Sequence, residues 1–150
     1  MNQQGMIGYS SEKLVELDLL SQGVVCLLPS LPDTEYDMVA YIDGEFLKIQ
    51  VKTGQKNGET IRADIRKSAN PRNPYKKLHY NSEDVDIFAI TDMERRKVAY
   101  YHAGEFKRQI TLRLNERTCN NAFKERMFDD YADFRDVVYN KGNSVIEEAI

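Results

Sequence analysis

The chain has 150 residues, 41% of them hydrophobic, with 21 basic and 24 acidic side chains and a formal net charge of −3. That length and apolar content allow one substantial core and predict a single domain over residues 1–150. The two cysteines exclude a disulfide framework, no apolar run reaches membrane length, and the net negative charge excludes a protein that is basic over its whole surface.

In chain order, Met1 to Tyr9 lacks the basic-then-apolar pattern of a signal peptide, which predicts a cytoplasmic protein. Ser10 to Gly23 then reads as a short helix, with serines as N-cap candidates, acids in the first turns and a glycine at C′. Leu14, Leu17 and Leu20, with Val15 or Leu19, give it an apolar stripe, and Glu12 and Glu16 share one flank. Val24 to Leu28 is an apolar run of strand length stopped by Pro29.

Tyr36 to Lys52 carries the chemistry. Asp43-Gly44 is the dipeptide best suited to a two-residue type I′ turn, so strands on either side form a hairpin. Alternation places Tyr36, Met38, Ala40 and Ile42 on one face and Asp37, Val39 and Tyr41 on the other. On the return strand Phe46, Lys48, Gln50 and Lys52 share a face, with Val51 anchored in the core. Asp37 is therefore expected across the ladder from Gln50 and Lys52. An acid and a lysine facing one point can hold a divalent metal beside a scissile phosphate, which points to a nuclease. Mg2+ accepts oxygen ligands and keeps several waters, so Asp37, the Val51 main-chain carbonyl and the Gln50 amide oxygen make a sufficient set. Lys52 would orient the attacking water or offset charge on the phosphate.

Residues 54–81 follow directly, with seven bases, Lys56, Arg62, Arg66, Lys67, Arg72, Lys76 and Lys77, against Glu59 and Asp64. Asn, Ser and Tyr side chains are interleaved, and such a segment beside Lys52 is expected to contact DNA. Within it Ile61, Ala63 and Ile65 alternate with Arg62 and Asp64 as in a strand with Arg62 outward. Asn70 to Pro74 breaks regular structure, and Tyr75 to Tyr80 has room for a helical turn. Val85 to Thr91, Lys97 to His102 and Ile110 to Leu114 read as further strands, the first two separated by a charged turn at Asp92 to Arg96. Residues 116–150 form a helical extension: Phe123, Met127 and Phe128 have helical spacing, and Asp133 to Tyr139 suggests a second helix ending near Gly142. The acids there keep most of it off DNA, and its aromatics are expected on the sheet or a sister subunit.

With helix, strand, hairpin and later strand in this order, the chain resembles the PD-(D/E)XK nuclease superfamily, and most closely its bacterial group I intron-encoded homing endonucleases. The matching residues are Glu12 in Gly8-Tyr9-Ser10-Ser11-Glu12, Leu20 and Gly23, Pro29, Tyr36-Asp37, Ile49-Gln50-Val51-Lys52-Thr53, and the strand Val85 to Ile90. The resemblance implies an α/β restriction-endonuclease-like core with a mixed β-sheet flanked by helices. It implies Asp37 as metal-binding acid, Lys52 as catalytic lysine and Glu12 as the acid of the first helix. Gln50 replaces the middle acid of the general motif, which lowers the charge available for a second ion and gives Glu12 more weight. The implied activity is Mg2+-dependent, site-specific cleavage of double-stranded DNA. A junction resolvase, a restriction enzyme of the same fold, or a non-catalytic DNA-binding module are the alternatives.

A small domain covers too few base pairs to select a long site, which predicts a homo-oligomer, dimeric or tetrameric. Elsewhere the residues predict little chemistry. His79 and His102 lack zinc spacing, and Cys26 and Cys119 read as reduced thiols.

Overall fold

The computed structural model describes residues 2–31, 34–65, 84–105, 108–115 and 126–141. The expected helical turn at Tyr75 to Tyr80, the remaining basic residues Arg66, Lys67, Arg72, Lys76 and Lys77, His79, Cys119 and Phe123 lie outside them.

The first helix, α1, spans Gln3–Ser21, starting well before the serines expected to cap it. Asn2 is the N-cap instead, its side chain accepting a hydrogen bond from the Gly5 amide at 2.8 Å. This frees the serines for other work. Ser10 bonds back to the Met6 carbonyl, whereas Ser11 is buried and turns toward the sheet. The C-terminus follows expectation: Gly23 adopts φ 77°, the Val24 amide donates to the Leu19 carbonyl and the Gly23 amide to Leu20, completing a Schellman cap. The buried row is Ser11, Val15 and Leu19, while Leu17 and Leu20 are exposed. The leucine stripe expected from spacing is thus displaced, because burial follows the i, i+4, i+8 row that starts at Ser11.

Five strands form the main sheet: β1 Val25–Leu27, β2 Met38–Ile42, β3 Glu45–Thr53, β6 Ile87–Asp92 and β7 Lys97–His102, side by side in the order β1-β2-β3-β6-β7. The β2–β3 hairpin closes through Asp43 and Gly44, at φ 49° and 84°, as a type I′ turn requires. In this sheet neighbouring pairs run antiparallel except β3 and β6, which are parallel. Their crossover contains β4 Gln55–Asn57 and β5 Thr60–Asp64, which join β8 Gln109–Arg113 in a second, three-stranded sheet. The start of the basic segment is therefore a hairpin with its own buried face, Ile61 and Ala63 inward and Arg62 outward.

Two cores flank the main sheet. Val15 and Leu19 pack on Met38, Ala40, Ile49 and Ile87 on one side, where Phe134 and Val137 of the C-terminal segment close the layer. On the other side the second sheet covers Phe88, Ile90, Ala99 and Tyr101 with Ile61, Ile110 and Leu112. Every residue of β6 is buried, so this strand lies in both cores. The C-terminal aromatics pack on the sheet as expected: Phe134 meets Tyr100 edge-on and Tyr131 stacks on Tyr101. Met127, expected in a helix, is extended and precedes a 3-10 turn at Phe128–Tyr131. Asp133 then caps a short helix, α2, Phe134–Asp136, which continues as π turns to Lys141. His102 bonds through Nε2 to the Val137 carbonyl oxygen, the part of a packing histidine.

Where β3 ends, Gly54 fits because it has no Cβ. An added methyl would lie 2.6 Å from the Thr91 carbonyl oxygen and closer still to Ile61 Cδ1. Gly54→Ala is expected to lower stability by about 1–3 kcal/mol through overpacking. An unchanged urea midpoint would contradict this packing.

Candidate functional site

Asp37 sits one step before β2. Its amide donates to the Ile49 carbonyl at 2.8 Å, so Asp37 as well as Met38 stands opposite Ile49 and the regular pairing of β2 with β3 ends there. Its Oδ2 accepts from the Val51 amide at 2.8 Å, taking the place of a backbone partner that β2 is too short to provide. The side chain is therefore fixed at the point where β2 and β3 part. In an extended strand the amide and carbonyl of one residue project to the same edge, so the Val51 carbonyl opens toward Asp37 as well.

From the other side comes α1. The Glu12 carboxyl faces the Asp37 side chain, and its pKa is raised to about 7. Burial is the largest cause, followed by the hydrogen bond to Asp37 and the Asp37 charge, with Lys13 opposing. Without a cation between them, the two carboxyls are both ionised only above about pH 7. The set is all oxygen, and it suits a hard divalent ion. Among the described residues no group of three or more His, Cys, Asp or Glu side chains converges, so the donor set depends on this pair and on main-chain and amide oxygens.

Lys52 is half-buried in its strand, and burial pulls its pKa down while the charges of Asp37 and Asp64 push it up. Both acids thus act on the same ammonium group. Of the predicted site residues, Glu12, Asp37, Val51 and Lys52 come together, with Gln50 in the adjoining position on β3. Two separate openings flank these residues. A groove of about 470 Å³ is lined by Glu12, Asp37, Tyr9, Lys13, Glu16 and residues 28–31. A polar recess of about 490 Å³ is lined by Lys52, Thr53, Gln55, Arg62, Asp64 and Gln109.

The predicted DNA-contacting bases divide. Arg62 projects into the recess beside Lys52. Lys56 instead pairs with Asp92 at 3.3 Å and Glu94 at 3.0 Å. Reasoning from sequence missed Ser11, Thr53 and Thr91, whose hydroxyls meet beneath the site. The available signal was that Ser11 lies four residues before Val15, on the row that packs inward. Tyr9 and Lys13 were also missed as groove residues.

A family model described as PD-(D/E)XK endonuclease matches residues 1–135. No curated protein matches the chain. Among solved structures, one titled as a bacterial homing endonuclease, I-Ssp6803I, is similar, with a TM-score of 0.71 at 19% identity, covering 95% of this chain and 97% of that one. The fold is accordingly the restriction-endonuclease-like α/β core that the motifs implied.

The raised Glu12 pKa has a sign that can be worked out. Folded Glu12 holds a proton that the unfolded chain, with an ordinary value of 4.5, releases earlier, so metal-free stability falls as pH rises from 4.5 to about 7. Above that range the loss is complete. In chelator, the melting temperature is expected to fall between about pH 5 and about pH 8, and Glu12→Gln to remove most of that fall. A variant with the wild-type slope would contradict the shared-proton geometry.

Proposed function

The chain belongs to the PD-(D/E)XK endonuclease family, and we propose that it is a site-specific homing endonuclease that makes Mg2+-dependent double-strand breaks in DNA. The observation that carries this reading is the convergence of Glu12 and Asp37, with the Asp37 charge also acting on Lys52, where the two acids line one surface groove and the lysine another. Support for the homing role comes from the similarity to a structure titled as a homing endonuclease.

Asp37 and Glu12 would hold Mg2+, with the Val51 carbonyl and the Gln50 amide as neutral ligands. Bound there, the ion supplies positive charge to the scissile phosphate. Asp37 is pre-oriented by the Val51 amide, so its ligand geometry exists before any ion arrives. The Lys52 ammonium would orient a water and stabilise negative charge growing on phosphate oxygens. Its partial burial strengthens those interactions, since a charge screened less by water acts further. Arg62, on the recess wall, would take a backbone phosphate, as would Arg66, Lys67, Arg72, Lys76 and Lys77 of the segment that follows. Lys56 would need to leave Asp92 and Glu94 to do the same.

Cutting both strands at a long site calls for two catalytic centres, and self-association supplies them. A suitable surface is the row Val25, Tyr41 and Phe46, aligned across β1, β2 and β3 and exposed by 54%, 44% and 62%. The Tyr41 and Phe46 rings lie 5.0 Å apart. β1 is an edge strand, and edges with exposed apolar side chains are normally covered. Phe46 shares its face of β3 with Gln50 and Lys52, so a second copy packed on this row would bring both centres to one side of the assembly.

Asp37→Ala and Lys52→Ala are each expected to lower cleavage of a plasmid carrying the target by at least about 100-fold while leaving DNA binding detectable by gel shift. Retained cleavage in either would defeat the mechanism. Phe46→Lys is expected to convert a dimer or tetramer to monomer in sedimentation with no loss of helix signal; an unchanged mass would remove this row from the interface.

A further inference from the structure

Ser11 occupies an unusual place for a polar residue. It lies at the head of the buried row of α1, 1% exposed, where alanine or valine would pack without any hydrogen-bonding demand. Its Oγ lies 2.6 Å from Thr53 Oγ1 and 2.9 Å from Thr91 Oγ1, with Met93 Sδ at 3.4 Å. Thr53 and Thr91 are themselves partners in the parallel β3–β6 pairing, and Thr91 is fully buried. Three hydroxyls from three elements thus satisfy one another inside the molecule. A helical serine usually bonds to its own preceding turn, as Ser10 does with Met6.

Position in the chain gives the cluster its significance. Ser11 precedes Glu12, and Thr53 follows Lys52. The apolar contacts of Val15 and Leu19 are non-directional and leave the rotation of α1 to its polar contacts: Asp18, two turns further along, accepts from the Tyr100 hydroxyl at 2.5 Å, and the Ser11 cluster lies beside Glu12. Hydrogen bonds are directional and do fix that rotation. A side-chain tip lies about 5–6 Å from a helix axis, so a rotation of about 10° would carry the Glu12 carboxyl about 1 Å from Asp37. A displacement of that size at a reacting centre can cost about 100-fold in rate.

We propose that Ser11, Thr53 and Thr91 form a hydroxyl clamp that sets the rotation of α1 and so the position of Glu12 relative to Asp37 and Lys52. All three are positioning residues, and the inference rests on the reading of Glu12 and Asp37 as the pair that holds a divalent ion. The clamp couples the helix-borne acid to the strand-borne lysine through the backbone neighbours of each.

The test uses the full chain and Mn2+ as probe. Mn2+ binding is measured by calorimetry without DNA, alongside melting temperature and cleavage at limiting and saturating Mn2+. Ser11→Ala and the near-isosteric Thr53→Val are expected to melt cooperatively, bind Mn2+ about 10–100-fold more weakly, and lose cleavage that high Mn2+ partly restores. Thr91→Ser, which keeps the hydroxyl, and Ser10→Ala are expected to bind Mn2+ as wild type does. Wild-type affinity in a folded Ser11→Ala or Thr53→Val protein would overturn the clamp. Should Ser11→Ala fail to fold, Thr53→Val decides; failure of both to fold would also overturn it, since the cluster would then hold the fold and not the carboxyl. Wild-type protein that binds Mn2+ but cuts no duplex defeats the nuclease reading alone and leaves the clamp open to the binding measurement. No Mn2+ binding by wild type overturns the clamp itself.

Discussion

Two carboxyl groups from distant parts of the chain stand against each other, and the rest of the site depends on that contact. Left to themselves, Glu12 and Asp37 would separate into water. They are held together because each belongs to an element fixed by other forces. Asp37 is fastened by the Val51 amide and by a hairpin whose turn admits one register. Glu12 rides on a helix whose inner row packs into the core through Val15 and Leu19. The proton retained by Glu12 to about pH 7 reflects its burial first, and then the contact with Asp37 and the repulsion that packing overcomes. A cation would relieve the same repulsion, which ties ion binding to protein stability.

Much of this was legible from local chemistry. Asp43-Gly44 dictated the turn, the turn dictated the register up to the Met38–Ile49 pair, and Asp37 follows at the end of that ladder. Gly23 marked the helix end for the same conformational reason. The helix start was less legible, since Ser10 and Ser11 have the chemistry of caps and only tertiary contacts show that Asn2 caps instead. Leucine spacing misled for a related reason. A row headed by serine does not look apolar, yet its hydroxyl is satisfied by Thr53 and Thr91, and so the row turns inward. The second sheet was partly hidden because β4 has no buried residue to give an alternating pattern. Met127 shows the limit of spacing alone: it matched a helix and is extended, next to a Phe128 buried in the core.

Charge follows the same division between local and global. A net charge of −3 opposes DNA, but recognition responds to the field where the backbone approaches. Near the site, some bases are committed to acids of the fold: Lys56 to Asp92 and Glu94, Arg113 to Glu59. Lys52 and Arg62 line the same recess, together with the acid Asp64. A duplex entering there would meet a mixed surface, so position matters more than total charge.

The central claim is that Glu12 and Asp37 share a proton which a divalent ion displaces. Calorimetric titration of Mn2+ into the protein, in two buffers of different ionisation enthalpy, measures that proton directly. With Glu12 near pKa 7, about one proton per ion is expected to be released at about pH 6 and almost none at about pH 8.5. Equal binding heats in both buffers at about pH 6, meaning no proton released, would contradict the shared-proton site.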